Sequence, residues 1–175
     1  MDLSDASSRL ARGRSILFSP DSPCLRELSG RLSSADRRTV VLWALDNAGR
    51  VAAELGASHP EDPRPAVAVS ASTSWSMGDV KMPIARRAIL DVHAMAREMP
   101  DPADAALCHA VGQGCSCVHT PGHAMGLPVY ELTAAYLRDG GDSSPIERIV
   151  DIYLDSLYVA VSDVGRPRRW AGFLS

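Results

Sequence analysis

The side chains best suited to metal binding or nucleophilic chemistry are concentrated in one stretch of this 175-residue chain. Between positions 108 and 123 stand Cys108, His109, Cys115, Cys117, His119 and His123. Thiolate and imidazole are common zinc ligands, so a metal centre is the first chemistry to weigh. On one continuous helix Cys108, Cys115, His119 and His123 would share a narrow stripe, yet residues eight apart are separated by about 12 Å along the axis and cannot share an ion. A pair four apart can, as with Cys115 and His119 or His119 and His123. Tetrahedral zinc then needs further ligands from another element, and His93 is the best candidate donor.

The candidate metal ligands are therefore His93, Cys115, His119 and His123, with His109 as an additional imidazole. The competing interpretation makes Cys115 and Cys117 small apolar fillers where helices cross, and the histidines hydrogen-bonding groups within the packing. It is preferred, because the spacing matches no recognised zinc pattern. No catalytic residue and no cofactor are expected.

Other chemistries are weaker. Cys115 and His119 would be neighbours on a helix, but an activated thiol also requires an exposed electropositive site and an orienting third group. Gly112-Gln113-Gly114 begins like a dinucleotide fingerprint, yet position 117 is Cys and the preceding segment is Ala-rich and helical rather than a strand, so close helix packing explains it better. Asp91 and Glu98 lie two turns apart, too far for a paired-carboxylate site, and are expected in solvent. Trp43 and Trp75 are of the type that anchors partner surfaces, although core positions are favoured for both.

The elements that must position these residues read as helices. Asp36 is placed to cap a helix whose apolar positions Val41, Ala44, Leu45, Ala48, Val51, Ala52 and Leu55 form one stripe. Gly56 and the Pro-rich run Pro60 to Pro65 are expected to stop it, with Pro65 in the first turn of a helix reaching about Met77. The brief alternation of Val67 and Val69 is the only competing strand signal. A third helix carries Ile84, Ala88, Ile89, Val92, Ala96 and Met99. An Ala-rich helix spans Ala103 to His119, another about His123 to Leu137 with a bend at Pro128, and a last one follows the spacing of Ile146, Ile149, Val150, Tyr153, Leu157 and Val161.

The expected architecture is all-α, a compact bundle of about six to seven helices. It divides into an N-terminal arm with a short helix (1–34), a helical core (35–140) and a C-terminal helix and tail packed on the core (141–175). The segment Arg166 to Trp170 is expected to be extended.

Composition narrows the function classes. With 18 basic and 21 acidic residues the net charge is −3, which offers no general attraction to nucleic acid. The opening Met1-Asp2-Leu3-Ser4-Asp5 lacks a basic start and apolar stretch, and the longest apolar run, Val40 to Leu45, is too short for a membrane span. A cytoplasmic location is expected, with no membrane partner. Three of the four cysteines fall within ten residues, so free thiols are expected rather than a disulfide framework.

From Leu42 to about Leu137 the chain resembles the Imm5-like domain of bacterial immunity proteins from polymorphic toxin systems. The matching features are Trp43-Ala44-Leu45-Asp46, Pro60-Glu61-Asp62-Pro63-Arg64-Pro65, Trp75 followed by Gly78-Asp79, Ala85-Arg86-Arg87, His93-Ala94-Met95-Ala96-Arg97, Gly112-Gln113, and His119 to Gly126 before Tyr130. The resemblance implies an all-helical, non-catalytic protein that binds and neutralises a cognate toxin. This chain departs from the pattern at Cys115, Cys117 and Pro128, and adds an N-terminal arm and a helix after Ile146. Two other function classes compete: a small helical metal-binding protein or enzyme using the His/Cys cluster, and a helical module whose last helix and Arg-rich tail pair with a second copy as a homodimer.

Overall fold

The structure of the protein, a computed structural model, describes residues 2–174. These contain eight α-helices: α1 (Ser4–Ala11), α2 (Arg26–Ser34), α3 (Arg37–Ser58), α4 (Arg64–Ser76), α5 (Met82–Met95), α6 (Pro102–Ser116), α7 (Gly126–Asp139) and α8 (Ser143–Asp163). No strand occurs among the described residues, so the alternation at Val67 and Val69 belongs to α4. The count exceeds the expected six to seven because the N-terminal arm, where one short helix is expected, holds both α1 and α2. The Ser- and Arg-rich sequence of α1 holds too few apolar residues for helical periodicity to register.

Helix starts follow local chemistry. Asp36 caps α3 by accepting from the Thr39 amide at 3.0 Å, and Asp101 and Asp142 cap α6 and α8 in the same manner. Pro65 lies in the first turn of α4 as expected. Helix α3 runs through Gly56 to Ser58, so the Pro-rich run alone stops it. Pro128 lies within the first turn of α7, where its missing amide hydrogen leaves no helical bond unmade. It helps begin this helix rather than bending a longer one. Gly140 ends α7 with φ +62°, a left-handed position that glycine takes without steric cost.

Six of the helices pack as three pairs. Helices α3 and α6 lie together in the middle, with α4 and α5 against one side and α7 and α8 against the other. The central position of α3 explains why Thr39 through Leu45 are all buried, beyond the single stripe its periodicity suggests. Close approach depends on small residues. A Cβ at Gly114 of α6 would lie 2.5 Å from a Leu127 methyl, 2.8 Å from Ala48 Cβ and 3.1 Å from the Ala44 carbonyl oxygen. The packing role expected for this glycine is thus met against two helices, α3 and α7, at once.

Both ends of the chain fold onto this frame. Leu17, Phe18, Leu25, Leu28 and Leu32 join the main apolar core. The Leu17 amide donates to Thr133 Oγ1 at 3.1 Å, and Phe18 meets Tyr136 edge-on. At the other end, residues 167–170 have no regular secondary structure. The Ala171 amide then donates to the Ser76 carbonyl at 2.8 Å, and Leu174 is buried with Val41, Leu45, Trp75, Ala85 and Val118. Among the described residues no helix is long and apolar enough to cross a membrane.

Candidate functional site

Helices α5 and α6 and the two turns after α6 bring four of the histidines into one region. His93 on α5 and His109 on α6 approach with Nδ1 to Nδ1 at 2.9 Å. Such a contact requires one ring to donate its Nδ1 proton and the other to leave that nitrogen bare. The His109 ring also packs on Tyr130 of α7, centroids 5.1 Å apart. His123 lies in the 3₁₀ turn Pro121–His123, its Nδ1 2.6 Å from Gln113 Oε1, and His119 packs against Trp75 at 5.5 Å. Burial, then the nearby His109 and His123, push His93 down to about 4. Burial and Arg97 lower His109.

Glycines hold this arrangement tightly. A Cβ at Gly112 would fall 2.4 Å from His93 Nε2, and one at Gly126 would fall 2.7 Å from Gln113 Oε1. The Gly-Gln pair of α6 therefore acts through space: Gly112 admits one imidazole, and Gln113 holds another. No side chain at 112 other than hydrogen leaves the His93 ring where it is.

Of the metal candidates, His93, His119 and His123 fall in this region, the last two with rings 6.4 Å apart, but Cys115 does not line up with them on one helical stripe. Helix α6 ends at Ser116 and residues 117–119 form a turn, so Cys115, His119 and His123 do not share the continuous helix on which their stripe was drawn. Cys115 is wholly buried while His119 is exposed. The helical spacing that would make these two neighbours does not extend past Ser116. Among the described residues no group of three or more His, Cys, Asp or Glu side chains is arranged to hold a metal ion. Burial pushes the Cys108 and Cys115 thiols up to about 12 and raises Cys117 as well, which keeps them protonated and unreactive. All four cysteines are free.

The remaining candidates are placed as follows. Trp43 and Trp75 are buried, as favoured, and neither anchors an exposed surface. Asp91 pairs with Arg87 at 3.0 Å within α5, and Glu98 pairs with Arg64 at 2.6 Å. Arg64 also grips Asp62 at 2.5 Å, so the Pro60-to-Pro65 motif is a clasp joining the α3–α4 connection to the end of α5.

One polar cluster escaped sequence reasoning. Arg50 of α3 grips Glu131 of α7 through two parallel bonds of 2.6 and 2.7 Å. The Tyr153 hydroxyl of α8 donates to the same carboxylate, and the Arg50 guanidinium lies 5.4 Å from the Tyr153 ring centroid. Trp43 Nε1 donates to the Tyr153 carbonyl at 3.0 Å, and Asn47 Nδ2 bridges the Trp43 carbonyl and Ser156 Oγ at 2.9 Å each. Glu131 lies on the apolar face of α7, four residues after Leu127. A charge at that position was the available signal. The network ties α3, α7 and α8 together through buried, charge-assisted bonds.

The geometry thus spends the chain's imidazoles, thiols and buried charges largely on one another and on packing. Comparison with curated proteins and with solved structures finds no match. Residues 30–154, well over half of the chain and beyond the Leu42-to-Leu137 resemblance at both ends, match the family described as Imm-5 like putative immunity protein, and the chain belongs to that family.

Proposed function

We propose that this chain is a non-catalytic immunity protein that neutralises a cognate bacterial toxin by stoichiometric binding in the cytoplasm. The observation that carries this is the family match over residues 30–154. The engagement of the chemistry-capable side chains supports it: Cys108, Cys115 and Cys117 are buried and protonated, and His93, His109 and His123 are hydrogen-bonded within the fold. A protein built in this way acts through its surface. Its partner follows from a limited set of contacts rather than from a reactive centre.

The test is co-expression. The toxin encoded beside this chain is expressed alone and with it, and the purified pair is weighed by light scattering. Growth should be restored and a defined complex should form, with the toxin's activity falling to zero as the ratio reaches the complex's stoichiometry. A toxin that neither binds the chain nor loses activity in its presence overturns the proposal.

A further inference from the structure

Helix α8 presents two unlike surfaces. Its inner side, Ile146, Val150, Tyr153, Leu157 and Ala160, is buried against the bundle. Away from that side Tyr158 and Val161 are 72% and 56% accessible, and Ile152 and Val159 are exposed on the other flank of the helix. Tyr158 and Val161 also form one wall of a groove of about 450 Å³, whose opposite wall is the end of α2 around Gly30, Ser34 and Ala35. Large apolar side chains grouped in solvent mark an interaction surface.

Acidic residues run along the same side. Glu147, Asp151 and Asp155 are spaced by four, so they line up on one face of the helix, and all three are exposed. From Asp142 to Asp163 the only basic residue is Arg148, and Arg31 at the groove is already paired with Glu27 at 2.8 Å. We infer that the outer face of α8 and the α2–α8 groove form the docking surface for a basic protein partner that inserts an apolar side chain beside Tyr158. This rests on the immunity role proposed above and assigns its partner a charge and a place.

Charge decides among the occupants. An acidic row repels nucleic acid and anionic lipid. A second copy docked two-fold, α8 on α8, would set the row against itself, because such an interface uses the same patch on both sides. A basic partner gains instead: matched potentials speed encounter, and a Tyr at the centre of a patch is a typical energetic anchor. Tyr158, Val159 and Val161 also lie beyond the segment shared with the family, which ends at 154. Partner choice specific to this chain is suitably carried there.

The experiment measures binding of the neighbouring toxin, in an inactivated form, to the full chain at low and high salt. The variants are Asp151→Lys with Asp155→Lys, Tyr158→Ala, and Ile84→Ser on the exposed side of α5 as a control. All sit in solvent, and thermal melts check that each is folded. The charge variant should slow association at least tenfold at low salt, with a smaller loss at high salt. Tyr158→Ala should speed dissociation at least tenfold, and the control should match the wild type. Tight binding by the wild type with both α8 variants within twofold of it overturns this surface and leaves the immunity role standing. A wild type that does not bind overturns both. A dimer of the chain that Tyr158→Ala disperses would give the face to a second copy and overturn the inference.

Discussion

Replacing Glu131 with Gln separates the buried charge network from simple packing, because shape is kept while one charge is removed. In the native protein the Glu131 side chain is 4% exposed and Arg50 is 33% exposed. Breaking a buried ion pair on one side costs about 3–5 kcal/mol, since the other charge is left desolvated without its partner. Water reaching the exposed third of Arg50 lowers the penalty, and the Gln carbonyl still accepts from Tyr153, so the lower end, about 3 kcal/mol, is expected. For a chain of this size each kcal/mol shifts the midpoint by about 2–4 °C, giving a fall of roughly 6–12 °C. Urea unfolding followed by circular dichroism measures the change directly. The triple variant Arg50→Met, Glu131→Leu, Tyr153→Phe removes together the three polar groups that meet at the carboxylate and should recover to within about 1 kcal/mol of the wild type. A Glu131→Gln protein within about 0.5 kcal/mol of the wild type, a loss typical of surface substitutions, would refute the reasoning, because it would mean that the pair is solvated and does not bind α3 to α7.

Three further outcomes follow from the packing and titration. Gly114→Ala should destabilise by about 3 kcal/mol, since the added carbon meets Ala48 and the Ala44 backbone as well as a movable Leu127 methyl; Gly56→Ala, where the same carbon meets open space within α3, should stabilise by about 0.5–1 kcal/mol, and urea midpoints distinguish the two signs. The folded His93 ring is held to about 4 against about 6.5 in the unfolded chain, so the unfolded state takes the proton first. The stability this ring contributes is therefore full above about pH 6.5 and lost as pH falls toward 4. With His109, His123 and Arg97 facing the pair, His93→Gln should flatten the fall in unfolding free energy measured between pH 7.5 and 4.5. Finally, maleimide labelling of the folded chain should leave Cys108, Cys115 and Cys117 unmodified, and labelling in denaturant should reach all four thiols. Rapid modification of Cys115 in the native protein would contradict its burial.

The sequence alone determined the helical class and half of the helix starts, because those depend on neighbours in the chain. Asp36, Asp101 and Asp142 cap with their own following amides, and Pro65 sits where its missing donor is harmless. The family was legible too, in the order of short motifs from Trp43 to Tyr130, and the match over residues 30–154 bears it out. What lay beyond reach was spatial. Helix α1 is held with few apolar residues of its own, so local periodicity could not announce it. The His/Cys stripe assumed a continuous helix, and the turn after Ser116 broke it. Likewise, His93 finds His109, Arg50 finds Glu131, and Phe173 packs on Trp75 across 16, 81 and 98 residues of chain. Such partners are chosen by how the three helix pairs stack, because hydrogen bonds and apolar contacts depend on distance in space and carry no mark of it in the order of residues.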